Sequence, residues 1–371
     1  MVDPFICLPN DLTKSVHAHS WRMKQPVGVY RTKRRRRIAV NPELRSRLNG
    51  QIWSAAIQAD ASLEVAANEI IQLCREPFPG GFASYLLPFL VPRHGDLVFD
   101  VIEELTLEYK WPTGSGYAKI VLPQILCMSP SRAKPFLKDL FQYGNARQRK
   151  AVAETLRALV YVDLDWSLQA LLTCAASDHE TIRKEAARAL GCVCEVDVFA
   201  AEKLRQSIIG DDQLSTLVAD YDLPEPSILL RLMKTQRWID VGGFVGSPLW
   251  TSGLIRSLAL GLPGLMVADP EYAVGRLQLL WSATDFTDYI LRFITAAHLP
   301  LAHGLGVTVF RRLLPRIVRS SDWQVRRFAV LPLSKLAASG DTWSEGYLHD
   351  LKADPSAQMR EVVEAARAAI A

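Results

Sequence analysis

Two pairs of arginines, Arg149 with Arg183 and Arg326 with Arg360, each stand 34 residues apart. All four sit in a similar local frame. Ile182-Arg183 is followed by Ala186-Ala187 and then Ala189-Leu190-Gly191. Val325-Arg326 is followed by Ala329-Val330 and Pro332-Leu333. Gln148-Arg149 leads to Val152-Ala153 and Thr155-Leu156, and Met359-Arg360 leads to Val363 and Ala366. A fixed period in this range marks a stack of supersecondary units, none of which can bury its apolar face alone.

The spacing of apolar residues says that the units are helical. Leu63, Ala66, Ala67, Ile70, Ile71 and Cys74 fall on one face of a helix,. So do Val98, Val101, Ile102 and Leu105; Leu168, Leu171, Leu172 and Ala175; and Ile182, Ala186, Ala189, Leu190 and Val193. Strand-like alternation is confined to Val27–Tyr30 and Ile38–Val40. Three motifs are preceded by a helix-start signal. Ser177-Asp-His-Glu180 and Ser321-Asp-Trp-Gln324 have the form of capping boxes, and Asp354-Pro355 places an N-cap before a first-turn proline,. The alanine pairs allow close helix approach. Each arginine follows a capped turn, from which it can reach a neighbouring acid or carbonyl.

On these residues, segments 177–194 and 320–338 resemble the second helices of HEAT repeats, with the apolar-Arg-x-x-Ala-Ala-x-Ala-Leu-Gly pattern clearest from Asp178 to Gly191. Pro332 departs from that pattern, and the copies at 145–160 and 354–370 are weaker. The resemblance implies an all-α fold, a curved α-solenoid of antiparallel helix pairs. It implies no particular activity, because function lives in sites and not in folds.

Residues 1–50 break the rhythm. They hold 11 Lys and Arg against 3 Asp and Glu, a charge of +8 that leaves −4 on residues 51–371. The charge centres on Arg31-Thr-Lys33-Arg34-Arg35-Arg36-Arg37. Such a run either binds phosphates or an acidic protein face, or is a solvated tail. Residues 223–270 also interrupt the array, with 6 of the 21 glycines and 5 of the 21 prolines, and read as a long loop or broken helices,.

Signals for chemistry are sparse. The six cysteines form no C-x-x-C pair and read as buried thiols in a reducing, cytoplasmic setting,. His17 and His19, or His298 and His303, lack further ligands nearby, so no metal is expected,. Gly242-Gly-Phe-Val-Gly246 lacks the strand that would make it a dinucleotide loop, and no phosphate-binding G-x-x-x-x-G-K or nucleophile elbow occurs; no cofactor is expected,. No apolar run is long enough to span a membrane, and the N-terminus lacks the features of a secretory signal,.

A second resemblance is local. The stretch Leu314–Ala329, which contains Trp323, Arg326 and Arg327, is similar to a segment of the HEAT-like alkylpurine DNA glycosylases, and Trp281-Ser-Ala-Thr-Asp285 looks like that family's Trp-and-Asp pairing. The resemblance implies Asp285 as a catalytic carboxylate, Trp281 against the lesion, and Arg326 or Arg327 on a phosphate. Asp285 also fits a plain helix N-cap.

The reading is therefore a basic, partly irregular arm over residues 1–50 and a solenoid over 51–371. The expected function is a non-catalytic scaffold for a protein or peptide partner on the concave surface. Arg34, Arg35, Arg36, Arg37, Trp323, Arg326 and Arg327 are the expected binding residues. Nucleic-acid binding, through the arm or through a glycosylase-like groove at Asp285, is the alternative.

Overall fold

The computed structural model describes residues 41–58, 61–64, 67–76, 80–107, 120–208, 252–283 and 307–371. Among them every regular element is a helix. The first block holds α1 (Pro42–Ile57), α2 (Ala67–Arg75), a 3-10 segment (Gly80–Leu86) and α3 (Leu87–Leu107). The second holds α4 (Leu122–Met128), α5 (Pro130–Tyr143), α6 (Ala146–Leu159), α7 (Leu164–Ala175), α8 (Glu180–Arg188), α9 (Leu190–Val196) and α10 (Val198–Ile208). A hairpin of α11 (Ser252–Ala268) and α12 (Pro270–Ala283) follows. The C-terminal block holds α13 (Val307–Val318), α14 (Trp323–Arg326), a 3-10 turn (Arg327–Ala329), α15 (Val330–Ala338), α16 (Thr342–Leu351) and α17 (Ala357–Ala368).

The periodic faces are buried. Ile70, Ile71, Cys74, Val98, Val101, Ile102, Leu105, Ile182, Ala186, Ala189, Leu190 and Val193 all belong to the apolar core. Helix α2 starts later than its apolar face suggests: residues 61–64 are not helical, and Leu63 packs on the core from the lead-in. Helix α3 is kinked at His94, two residues after Pro92, whose ring excludes a normal helical turn,. Pro332 is accommodated in a similar way. The bond its missing N–H would make to Phe328 is replaced by the 3-10 turn at 327–329,.

The caps shift from their expected positions. Helix α8 starts from His179 with no side-chain cap, and the Ser177 hydroxyl accepts from the His179 N–H at 3.2 Å. Asp322, not Ser321, caps α14, and Ser356, not Asp354, caps α17. Asp354 instead accepts the Ser356 N–H at 2.8 Å. The one complete capping box among the described residues is Asn145 with Gln148, in the repeat whose start carried no signal,. Helix α1 begins at Pro42, so the boundary drawn at residue 50 falls inside a helix.

Elements adjacent in sequence pack on one another from α1 through α10, and again from α13 through α17. Helices two or three places apart in sequence also pack together, and two sets of contacts join parts much farther apart in the chain. The α11–α12 hairpin seats α11 against α4, α6 and α9. Of the loop or broken helices expected over 223–270, residues 252–268 form a 17-residue helix, and 223–251 lie outside the described residues. Its glycines serve packing: a Cβ on Gly264 would stand 1.7 Å from the Ala158 carbonyl oxygen, and one on Gly261 would stand 2.9 Å from the Cys192 sulfur. The second set joins the two ends of the chain. Helix α1 packs against α15 and α17, and the Gln58 amide donates to the Ala369 carbonyl at 2.9 Å. Phe328 meets Phe82 at 5.8 Å and Tyr85 edge-on at 5.2 Å. The C-terminal helix is covered by α1.

Candidate functional site

The recurring arginines share one task. Arg183, Arg326 and Arg360 each donate from Nη1 to a backbone oxygen six residues earlier, at Ser177, Ser320 and Asp354, all at 2.6 Å. Arg149 donates from Nε to the Gly144 oxygen, five residues earlier, at 3.0 Å. Each acceptor lies one to three residues past the end of the preceding helix. Helix ends leave carbonyls unpaired and carry partial negative charge, so a cation one turn into the next helix satisfies both demands. The period of the sequence is the period of this clasp.

Trp323, Arg326 and Arg327 are brought together by α14 and the 3-10 turn after it. Arg326 forms a fork with Asp354, Nε to Oδ2 at 2.8 Å and Nη2 to Oδ1 at 2.7 Å. The Arg327 guanidinium lies 5.0 to 5.6 Å from the ring centroids of Phe82, Tyr85, Phe328 and Trp323. Both arginines are buried, at 7% and 6% exposure, and Trp323 is half-buried. A phosphate or peptide at the surface does not reach these two guanidinium groups. They join the C-terminal block to itself and to the first block instead. Trp281 lies in the last turn of α12, while Arg34, Arg35, Arg36, Arg37 and Asp285 lie outside the described residues.

A second polar cluster has no periodic signature. Arg276 of α12 is fully buried and pairs with Glu195 of α9. The Tyr161 and Tyr272 hydroxyls donate to the same carboxylate at 2.5 and 3.0 Å, and Arg276 donates to the Tyr161 oxygen at 3.0 Å. Burial pushes the Tyr161 hydroxyl well above its ordinary range, with the Arg276 charge opposing and Glu195 adding to the rise,. Cys192, beside them, is also raised by burial. A third cluster joins Arg157 of α6 to Glu185 of α8, which also accepts from Arg188 at 2.7 Å. The hint of the Arg276 cluster in the sequence is Glu195, the one charge in the otherwise apolar α9.

These clusters hold their groups in unreactive forms. Each carboxylate is paired with arginine, and Glu195 accepts from two tyrosine hydroxyls as well. Burial lifts the Cys74 thiol to about 12 and raises Cys127 and Cys174 as well, so none is a ready nucleophile near neutrality. Among the described residues no group of three His, Cys, Asp or Glu is placed to hold a metal ion, and no helix is long and apolar enough to cross a membrane. A shallow depression on α1, lined by Glu43, Ser46, Arg47, Gly50, Gln51 and Ser54, is open and mostly apolar.

Comparison with protein-family models and with curated proteins gives no match. Among solved structures, the crystal structure of an engineered protein aligns over 88% of this chain and 94% of its own length, at 14% identity and a TM-score of 0.30. A likeness at that level carries no argument about fold or function.

Proposed function

We propose that this all-helical chain is a non-catalytic scaffold, built as a curved solenoid of HEAT-like helix pairs, that holds a protein or peptide partner. The observation that supports the reading is the arginine clasp, made four times to the same type of acceptor and three times with the same reach. Recurrence of one turn geometry is what a stack of equivalent units requires. The buried charges support it too: among the described residues the arginine–carboxylate pairs join helix to helix. Stacked helix pairs offer extended surfaces suited to long or flexible partners.

The test is affinity capture on the full chain, followed by reconstitution with the purified captured protein. A saturable complex of fixed stoichiometry, unchanged by Asp285→Asn, supports the scaffold. Release of free base from alkylated DNA, abolished by Asp285→Asn, overturns it in favour of a glycosylase.

A further inference from the structure

Helix α3 belongs to two parts of the molecule at once, and contacts on either side of its kink go to different partners. Before the kink, the Phe89 ring receives the Lys335 ammonium of α15 at 5.0 Å. At the kink, His94 Nε2 lies 3.4 Å from the Ala61 carbonyl oxygen of the first block. After it, Asp96 pairs with Arg132 of α5. The Arg132 guanidinium lies 4.4 Å from the Phe99 ring centroid, and the Gln148 amide of α6 donates to the Thr106 carbonyl at 2.9 Å.

The partners on each side form separate bodies. The first and C-terminal blocks are joined through α1, α15 and α17. Helices α4 through α12 pack among themselves, with α11 seated on α4, α6 and α9. Among the described residues, the packing of α3 on α4 is the one extensive helix contact between the two bodies. The return of the chain from the second body to the first falls between residues 283 and 307, outside the described residues. Bodies joined through a shared helix move relative to one another unless a large apolar interface holds them.

The sequence at the junction is Pro92-Arg93-His94-Gly95. Pro92 has no N–H to give the Pro88 carbonyl four residues back, and its ring crowds that carbonyl,. His94 departs from helical angles, at φ −120° and ψ 33°. Gly95 is the residue type with the most backbone freedom,. A Cβ on Gly95 would meet nothing within 4 Å, unlike one on Gly261 or Gly264, so packing does not demand a glycine there. We infer that Pro92–Gly95 is a hinge, about which α4–α12 and the C-terminal half of α3 swing as one body against the body made by the two ends of the chain. Hinges take this form, a few residues that absorb the change of angle while the parts on each side stay packed. A partner that touches both bodies selects one spacing between them. The hinge does not depend on the scaffold reading, and its test needs no partner.

The experiment is pulsed dipolar EPR on the full chain, with spin labels on introduced cysteines. Cys74, Cys127, Cys174, Cys192 and Cys194 are buried, and Cys7→Ser removes the remaining thiol. Labels at Ser46→Cys of α1 and Gln169→Cys of α7 report across the hinge. Labels at Ser46→Cys and Glu345→Cys of α16 report within one body. All three positions are exposed. We expect the cross-hinge distance distribution to be about twice as wide as the within-body one. Pro92→Ala/Gly95→Ala should narrow it to the within-body width and leave the within-body pair unchanged. Gly95→Ala alone should narrow it part of the way, and takes the place of the double variant if that one melts lower than the native chain. Two results overturn the inference: a native cross-hinge distribution as narrow as the within-body one, or a wide distribution that keeps its width in the folded variants.

Discussion

The Arg326–Asp354 pair and the Arg276–Glu195 pair are both buried contacts between an arginine and a carboxylate, separated by 28 and 81 residues respectively. Arg326 belongs to the recurring motif. Its helix, its turn and its acceptor carbonyl all recur at Arg183 and Arg360. Asp354 adds a connection to the next helix pair in the chain. Arg276 belongs to no motif. It holds the α11–α12 hairpin onto α9 and onto the end of α6, elements far away in sequence. The first pair joins helices that are near neighbours in the chain; the second fixes an element that such neighbour contacts would not place. Residues that build neighbours repeat, whereas residues that join distant parts occur once and leave no period to detect.

The largest effect should come from breaking the solitary pair. Arg276→Met leaves Glu195 buried without its arginine, and should cost about 4 kcal/mol of stability by chemical denaturation. Adding Glu195→Gln should recover part of that loss. If it recovers none, the pair is not what seats the hairpin. Gly264→Ala attacks the same hairpin by shape. Its methyl group meets backbone, which cannot rotate away, so about 3 kcal/mol is expected. Gly50→Ala, where nothing lies within 4 Å, should be neutral or stabilising,.

The motif arginines should divide by what they grip. Arg326→Ala removes a fork from Asp354, which still accepts from Ser356, and should cost about 2 kcal/mol. Hydrogen exchange should rise in 342–371 and stay unchanged in 160–200. Arg183→Ala, which loses a carbonyl contact alone among the contacts described for it, should cost about 1 kcal/mol. Equal costs at the two positions would mean that Asp354 contributes nothing to the C-terminal block.

The mildest test uses pH. The Cys74 thiol is raised to about 12 by burial, against about 8.5 in an unfolded chain,. Between those values the unfolded state releases a proton that the folded state keeps. Stability is therefore full below about 8.5 and falls as pH rises toward 12. Melting temperatures under reducing conditions should decline over that window, and Cys74→Ala should make the decline shallower by its own share, with Cys127 and Cys174 supplying the rest, even though it melts lower at neutral pH.

Much of the fold was readable before any coordinates. The buried faces of α3, α7 and α8 follow from apolar spacing, and the 34-residue interval anticipates a repeated structural role for arginine. The type of acceptor was only half anticipated, because a carbonyl past a helix end has no side chain to announce it. Helix starts moved by one or two residues because Ser177 and Asp354 bond within their turns, an option that Ser and Asp always have,. The glycines and proline of 252–268 looked like helix punctuation, yet they sit in a helix that comes within touching distance of α6. Composition cannot separate a glycine that ends a helix from one that lets another backbone approach. The burial of Arg326 and Arg327 was equally hidden, since the aromatic rings around Arg327 include two from residues 82 and 85.

The contact between Gln58 and Ala369 also sets a timetable. Chain synthesis proceeds from the N-terminus, and the 311 residues between these partners take roughly 15 to 60 s to make at typical rates. Throughout that interval α1 has been made but the helices that cover it have not. Its apolar residues Leu48, Ile52 and Trp53, all buried in the finished molecule, must wait with part of their packing missing. The first of the described helices is thus among the last to be completed, and the nascent chain carries an unfinished apolar surface beside its most basic segment until the residues of α17 have been made.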